Sequence, residues 1–293
     1  MDAAAPPPVR IGTAALWMVG AILSFSAMAV AGREVSAELD TFELMTFRST
    51  IGLALVAAFA LATGRAGAWR TGRPGLQALR NVFHFTGQNL WFHAVAVAPL
   101  AQVIAIEFTS PLWVALLAPF LLGERLTALR AAAVAAGFGG VLLVAAPWQD
   151  GGLASGAAFA ALAAIGFAAT GIATKVLTRT EPLLTILLWL TGLQLVFGIA
   201  CAGWDGDVAL PSAATWPWVV TVGLCGLLAH LSLTRALTLA PASVVMPIDF
   251  ARLPLIAALG AVLYREGLPA ATLAGAAVIL AANWLNLREA ARR

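Results

Sequence analysis

Charged residues are scarce in this chain. Of its 293 residues, only 11% are Asp, Glu, Lys or Arg, whereas 61% are hydrophobic. A soluble domain has about 25% charged residues, so this chain carries less than half of the charge that a water-facing surface requires. The mean hydropathy of +0.91 agrees with this. The composition therefore excludes a water-soluble enzyme and predicts a polytopic membrane protein.

The residue types that build metal sites and reaction centres are also few. There are three histidines and two cysteines, and Cys201 and Cys225 each lie within an apolar run. The sequence has no His-Glu-x-x-His motif, no Gly-x-Ser-x-Gly motif and no Walker loop. We therefore predict no metal, no cofactor and no catalytic residue, and we expect no ATP-driven transport by this chain alone.

Apolar runs long enough to cross a bilayer recur along the whole chain. A transmembrane helix takes roughly 20 apolar residues, and ten runs approach this length. They lie near residues 11–31, 44–63, 76–97, 100–122, 128–147, 153–177, 183–203, 216–239, 242–264 and 269–287. We therefore predict an all-α membrane protein with ten transmembrane helices, which are called spans 1 to 10.

The second half of the sequence repeats the first with a shift of 142 residues. The shift aligns Phe25 with Phe167, Arg33 with Lys175, Pro99 with Pro241, Glu107 with Asp249, and Glu124 with Glu266. Residues 1–147 and 148–293 then form two units with five spans each. Because five is odd, the second unit must enter the membrane from the opposite side. We therefore predict two inverted five-helix repeats around a central cavity.

The distribution of the basic residues predicts the orientation of the chain. With the N-terminus inside, twelve basic residues fall on the inner side, and only Arg33 and Arg265 fall on the outer side. The positive-inside rule then places both termini in the cytoplasm. One lysine against sixteen arginines fits a GC-rich bacterial genome, so we expect a bacterial inner membrane. The twelve inner residues are Arg10, Arg65, Arg70, Arg73, Arg80, Arg125, Arg130, Lys175, Arg179, Arg288, Arg292 and Arg293.

Several segments resemble a known repeat. They include Trp91–Ala94, Pro99, Glu107, Ser110–Pro111, Leu122–Thr127 and the more divergent second copy Ala240–Pro269. These segments are similar to the EamA repeat of the drug/metabolite transporter superfamily, and the chain resembles the YddG-like amino-acid exporters within it. The resemblance implies a ten-helix carrier whose cavity is lined by spans 1, 3, 4, 6, 8 and 9. It also implies that small metabolites or amino acids are the cargo.

Two acidic residues are predicted to lie near the middle of the membrane. Glu107 lies about 10 Å from one surface and Asp249 about 12 Å from the other, in a hydrocarbon core of about 30 Å. No basic residue follows Glu107 within a turn of its own helix, and burial of an unpaired carboxylate favours its neutral form. We therefore predict that Glu107, and with it Asp249, takes up a proton during transport. A simple hydrogen bond from Glu107 to span 1 or span 3 is the alternative.

Span 9 is too polar to be stable alone in lipid. Asp249 and Arg252 together cost roughly 5–7 kcal/mol on insertion, and the Leu, Ile, Val and Phe residues recover only about 3–6 kcal/mol. The two residues are three apart, so they can pair on one helix face. Two interpretations remain open: a structural ion pair, or cavity-lining groups that contact the cargo or a proton.

Polar and aromatic residues on several other spans are further candidates. His84, Gln88 and Trp91 form a stripe on one face of span 3, either for bonds between helices or as a cavity wall where Trp91 offers a flat face to the cargo. The family resemblance implies a structural role at a helix terminus for Arg48 on span 2. The remaining candidates are Ser24, Phe167, Thr170 and His230, with Phe83 and Trp189 as further aromatic lining.

These observations together predict a secondary transporter. We expect it to export small metabolites, above all amino acids including aromatic ones, by alternating access. The hairpin of spans 3 and 4 and the hairpin of spans 8 and 9 would act as gates. A passive facilitator and an intramembrane enzyme are the alternatives. The expected partners are the cargo and the lipid bilayer, with no nucleic acid, and the chain is expected to be a monomer or a homodimer.

Overall fold

The computed structural model describes residues 10–121, 127–145, 155–204, 206, 208–240, 245 and 248–291. Every regular element within these ranges is helical, and a short 3-10 turn at Ala66–Trp69 is included. The α-helices are α1 (Ile11–Val35), α2 (Thr41–Ala62), α3 (Pro74–Val97), α4 (Leu100–Glu107), α5 (Ser110–Leu121), α6 (Ala128–Ala145), α7 (Ser155–Leu177), α8 (Leu183–Ala202), α9 (Trp216–Leu239), α10 (Arg252–Tyr264) and α11 (Ala270–Ala291).

Local sequence signals explain several of the helix boundaries. Asp40 begins α2 with a capping box, since its side chain accepts from the backbone N–H groups of Phe42 and Glu43 and Glu43 accepts from the N–H of Asp40. Pro74 begins α3, where a missing N–H costs nothing. Arg265 ends α10 in the left-handed region, at φ 54°. That turn places Glu266 directly beyond the end of α10.

Five helices in the described part of the chain are long and apolar enough to cross a membrane. They correspond to the predicted spans 1, 2, 6, 7 and 8. Helix α3 has 24 residues but is not among them, because many of its buried side chains are polar. Shorter apolar helices lie within the predicted spans 4, 5, 9 and 10. The buried polar residues of α3 are Gln77, Arg80, Asn81, His84, Gln88 and Asn89.

Spans 4 and 9 are broken near their middles, whereas each was predicted as one helix. In span 4, α4 ends at Glu107 and α5 begins at Ser110, after a turn at residues 108 and 109. In span 9, a turn at residues 250 and 251 precedes α10. The two turns are 142 residues apart. Pro111 and Pro254 lie in the first turns of α5 and α10, where proline is tolerated, so they do not bend a continuous helix. Pro247 lies outside the described residues.

The helices pack in antiparallel pairs. The start of α1 meets the end of α9, where the N–H of Arg10 donates to Leu239 at 3.0 Å. Helix α3 pairs with α7, and α2 with α8. In the last pair, Gly198 lies against Thr46 and Gly52 against Thr191, so α2 and α8 run in opposite directions.

Small residues allow two of these pairs to approach very closely. A Cβ at Gly166 of α7 would lie 3.0 Å from the Cα of Gly87 in α3, and one at Gly140 of α6 would lie 2.8 Å from the carbonyl of Gly275 in α11. Close contact through glycine is typical of helices in membranes. Exchanging the two halves with the 142-residue shift turns the α1–α9 pair into the α7–α3 pair. The same exchange maps α2–α8 and α6–α11 onto themselves.

Candidate functional site

The two broken spans bring three charged side chains together at the centre of the bundle. Arg252, in the first turn of α10, donates from Nη2 to Oε1 of Glu107 at 2.8 Å and to Oδ2 of Asp249 at 2.9 Å. The Arg252 side chain is 3% exposed, and the two carboxylates are each 14% exposed. The pairing of Asp249 with Arg252 that their spacing predicts is present. We call Glu107, Asp249, Arg252 and Trp91 the central cluster.

Aromatic side chains enclose the central cluster. The indole N–H of Trp91 donates to Oε2 of Glu107 at 2.7 Å, and the Trp91 ring is 1% exposed. The rings of Phe25 and Phe108 each lie 5.0 Å from the guanidinium carbon of Arg252, at a distance typical of cation–π contacts. Trp91 therefore positions Glu107. The expectation that its flat face lines an open wall is wrong for this conformation.

The central cluster has spare hydrogen-bonding capacity. Oδ1 of Asp249 and Nε of Arg252 are buried, and neither has a hydrogen-bond partner in the described part of the chain. With all three charged residues ionised, two carboxylates share one guanidinium, so the cluster carries an excess negative charge. Glu107 was predicted to have no cation nearby, because no basic residue follows it on its own helix. This prediction is wrong, because the other half of the chain supplies Arg252.

A pair of histidines lies beside the central cluster. The ring centroids of His84 on α3 and His230 on α9 are 5.0 Å apart. Phe25 packs edge-on against His230 at 5.7 Å, and Phe167 packs against His84 at 6.2 Å. Phe25 and Phe167 are related by the 142-residue shift. Phe25 contacts both Arg252 and His230, so it connects the histidine pair to the central cluster. Gln88 is buried on α3.

Other residues that the sequence suggested do not join this group. The hydroxyl of Thr170 donates to the carbonyl of Gly166 in its own helix at 2.8 Å. Ser24 is half-buried on α1, and no contact of its side chain with the central cluster appears among the described residues. Phe83 is 40% exposed, so it does not line the interior. The N–H of Trp189 donates to the backbone of Trp69 at 2.9 Å, away from the cluster.

An ionic contact that the sequence did not predict joins three segments at one end of the bundle. Arg33, in the last turn of α1, forms an ion pair with Glu266 beyond α10. It also donates to the carbonyls of Val95, at 2.7 Å, and of Ala98. We call the pair of Arg33 and Glu266 the Arg33 latch.

The Arg33 latch holds three parts of the chain together. The Glu266 carboxylate accepts from the N–H of Leu100 at the start of α4, at 2.8 Å, and the Arg33 guanidinium lies over the Tyr264 ring at 4.8 Å. The latch thus joins α1, the α3–α4 connection and the end of α10. In the sequence, the 142-residue repeat was the signal that could have drawn attention to Arg33, because it aligns Arg33 with another basic residue, Lys175. Lys175 is exposed, and Glu124, the counterpart of Glu266, lies outside the described residues.

Comparison with known proteins identifies the family. The model of the EamA-like transporter family matches residues 12–146 and again residues 154–288. The chain belongs to this family. It is therefore a membrane transporter of small molecules and not an enzyme, as the sequence predicted.

Individual relatives span nearly the whole chain. A riboflavin transporter of Rhizobium johnstonii is 33% identical over 98% of this chain and 94% of that protein. An S-adenosylmethionine uptake transporter of Rickettsia bellii is 25% identical over 91% of this chain and 90% of its own length. A pseudopaline exporter of Pseudomonas aeruginosa is 27% identical over 91% and 93%. A solved crystal structure has the same fold, with a TM-score of 0.67 at 23% identity over 96% of this chain and 98% of that one.

Proposed function

We propose that this chain is a secondary transporter that works by alternating access, with ten spans in two inverted five-helix repeats, residues 1–147 and 148–293. The antiparallel pairing of α2 with α8 and of α6 with α11 supports this arrangement, because helices related by a two-fold axis in the membrane plane run in opposite directions. The two family matches lie on either side of the proposed boundary. The excess of basic residues on one side supports cytoplasmic termini in a bacterial inner membrane.

The contact of two carboxylates with one guanidinium in the central cluster is the observation that carries the transport mechanism. Glu107 comes from the first half, and Asp249 and Arg252 come from the second. Both carboxylates bind the guanidinium of Arg252, and Oδ1 of Asp249 is free to accept. Ionisable groups at membrane depth typically mark substrate or proton pathways. We propose that the cluster binds either a proton or a cationic group of the cargo, such as an ammonium, and that this exchange couples transport to a proton gradient.

The Arg33 latch supplies the gate on one side. In this conformation it ties α1 to the α3–α4 connection and to the end of α10, so that end of the bundle is closed. Opening requires separation of Arg33 from Glu266 and movement of the hairpin formed by α3 and α4. The hairpin of spans 8 and 9 would act in the same way at the opposite end.

We further propose that the cargo is an amino acid, including aromatic ones, and that the direction is export. An amino acid offers an ammonium for the carboxylates of the central cluster, and an aromatic one also offers a ring for Phe25 and Phe108. Relatives act on riboflavin and on S-adenosylmethionine, which both contain aromatic rings. Because relatives are named for uptake as well as for export, the direction must be measured.

Counterflow in proteoliposomes tests the proposal. Vesicles with purified protein are preloaded with one candidate, such as tryptophan, phenylalanine, riboflavin or S-adenosylmethionine, and uptake of the same labelled compound is followed. Saturable counterflow that an imposed pH gradient accelerates is the expected result, and protein-free vesicles are the control. Flux that never saturates would favour a passive facilitator. No counterflow for any compound would contradict the proposal.

A further inference from the structure

A buried arginine without an acidic partner lies outside the central cluster. Arg48 on α2 is 7% exposed, and its guanidinium fits against Gly226 of α9, where a Cβ would lie 2.6 Å from Nε. Nη1 reaches the Met45 sulfur at 3.7 Å, and Nε has no hydrogen-bond partner. No carboxylate in the described ranges forms an ion pair with Arg48. The expected position at a helix terminus is therefore wrong.

A small cavity lies next to this guanidinium. It has a volume of about 20 Å³, which holds one water molecule or an ion of similar size. Nε of Arg48, Oε1 of Gln194 and Nε2 of His230 are all buried without a hydrogen-bond partner in the described structure. The polar residues that line the cavity are Arg48, Ser49, Thr191, Gln194 and His230. We call this cavity the Arg48 pocket.

A second buried arginine adds positive charge on the other side of the histidine pair. Arg80 lies one helical turn before His84 on α3, and Gly226, which holds Arg48, lies one turn before His230 on α9. Arg80 is 4% exposed, donates to the Thr174 hydroxyl at 2.6 Å and has an unpartnered Nη1. It forms no ion pair with any described carboxylate. Two uncompensated buried cations in a low-dielectric interior attract an anion.

We infer that the Arg48 pocket binds a small anionic group through the Arg48 guanidinium and the His230 ring. A halide-sized ion fits this volume, and a carboxylate can reach the guanidinium only if the rest of its molecule lies outside the cavity. The group is either the carboxylate of the cargo or a free anion such as chloride. The first source rests on the proposed function, whereas anion binding itself can be measured without transport.

Anion titration of the purified full-length chain tests the inference. In sodium isethionate, a sulfonate salt without a carboxylate, and at constant ionic strength, we expect chloride or acetate to raise the melting temperature saturably, by about 5 °C at 100 mM. The variant Arg48→Gln should lose the shift, and Arg48→Lys, which keeps the charge, should retain part of it. Arg235→Gln is the matched control, since Arg235 is exposed on α9, and it should show the full shift.

A second measurement on the unmodified protein makes the test independent of the variants. Chloride bound to Arg48 should broaden the ³⁵Cl NMR line, and added acetate should reverse the broadening by competition. Absence of both the melting shift and the line broadening in the wild-type protein would overturn the inference. So would an unchanged shift in folded Arg48→Gln.

Transport then separates the two sources of the anion. If a free anion occupies the pocket, replacing chloride by isethionate should reduce counterflow at least about 5-fold, with full recovery on adding chloride back. If the cargo carboxylate occupies it, counterflow should persist in isethionate, and chloride should raise the KM for cargo. Either outcome supports the inference. Anion binding without counterflow of any cargo would contradict the proposed function alone.

Discussion

At the residue scale, Arg252 is the side chain on which the central cluster depends. It donates to carboxylates from both halves of the chain, and its charge is almost completely shielded from solvent. Within the described part of the chain, neither Asp249 nor Glu107 has an ion-pair partner other than Arg252. Replacing Arg252 therefore leaves two neighbouring buried carboxylates without a cation.

The variant Arg252→Gln should lose counterflow and should be less stable by about 3–5 kcal/mol, the usual cost of breaking a buried ion pair from one side. Adding Glu107→Gln should restore part of the stability, because one unpaired charge is removed with it. Thermal unfolding and counterflow measure the two effects, with Arg235→Gln as the control. Full transport by Arg252→Gln would contradict a role for the cluster.

Trp91→Phe isolates a single hydrogen bond. The change keeps an aromatic ring but removes the N–H that holds Glu107, and a hydrogen bond to a charged group is worth about 1.5–3 kcal/mol. We expect the maximal transport rate to fall about 10-fold or more, because about 1.4 kcal/mol corresponds to a factor of ten in rate. Trp189→Phe removes an indole N–H outside the cluster and should leave the rate unchanged. Equal effects of the two changes would show that Trp91 acts only by packing.

The sequence predicts these residues better than it predicts their contacts. Asp249 and Arg252 are three apart on one helix, so their pairing follows from helical spacing. Glu107 and Arg252 are separated by 145 residues, and their contact depends on how the two halves pack. The same holds for Arg33 and Glu266. The repeat aligns each residue of the first half with one of the second half, but it does not predict which residues of the two halves are in contact.

At the scale of elements, the position of the helix breaks could not be predicted from the sequence. Pro111 lies close to the break in span 4, but a proline in a sequence indicates either a kink or the first turn of a new helix. The structure has the second arrangement, with the break just before Ser110. Existence and approximate limits of most helices follow from the apolar runs. Helix α3 could also be predicted, although its polar face makes it less apolar than a usual span.

Close packing of α6 against α11 gives a prediction with a matched control. A side chain at Gly140 would meet the Gly275 carbonyl, whereas one at the adjacent Gly139 would meet no atom within 4 Å. Gly140→Leu should therefore lower stability by about 1–3 kcal/mol, the typical cost of overpacking, and Gly139→Leu should not. Melting temperatures in detergent compare the two. Equal melting temperatures would contradict the close contact.

The loop between α1 and α2 is tied to the start of α9 in a pH-dependent way. The Glu38 carboxylate accepts from the Ser212 N–H at 2.9 Å and from the Ser212 hydroxyl at 2.8 Å. The Ser212 N–H, followed by the Thr215 and Ser212 hydroxyls, lowers the pKa of Glu38 from its ordinary 4.5. Because the folded-state pKa is the lower one, the tie is intact above pH 4.5 and is lost as the pH falls through that lower value.

Hydrogen exchange of residues 208–215 measures this tie. Glu38→Ala should expose the Ser212 amide at neutral pH, and the wild-type protein should expose it only in acid, after correction for the intrinsic exchange rate. Glu34→Ala is the control, since Glu34 accepts from Tyr264 instead. If the Ser212 amide exchanged at the same rate in the wild type and in Glu38→Ala, the tie would not exist in solution.

At the scale of the whole molecule, the proposed transport mechanism depends on two halves of the chain that meet at the central cluster. It also requires that the two ends of the bundle open alternately. The 142-residue register of the repeat and the family could be predicted from the sequence, because both follow from the order of residue types along the chain. Which end is closed could not, since both ends carry related residues. The proposal that the Arg33 end is closed in this conformation rests on the contacts of Arg33 with Glu266 and with the α3–α4 connection.

Bridging the Arg33 latch is the most direct test of alternating access. In a background with Cys201→Ala and Cys225→Ala, the double variant Arg33→Cys and Glu266→Cys is reconstituted, and Cd²⁺ is added to link the two thiolates across the gate. We predict that Cd²⁺ abolishes counterflow of the cargo, that a chelator restores it, and that neither single-cysteine variant responds. Counterflow at an undiminished rate with the two cysteines bridged would contradict the account.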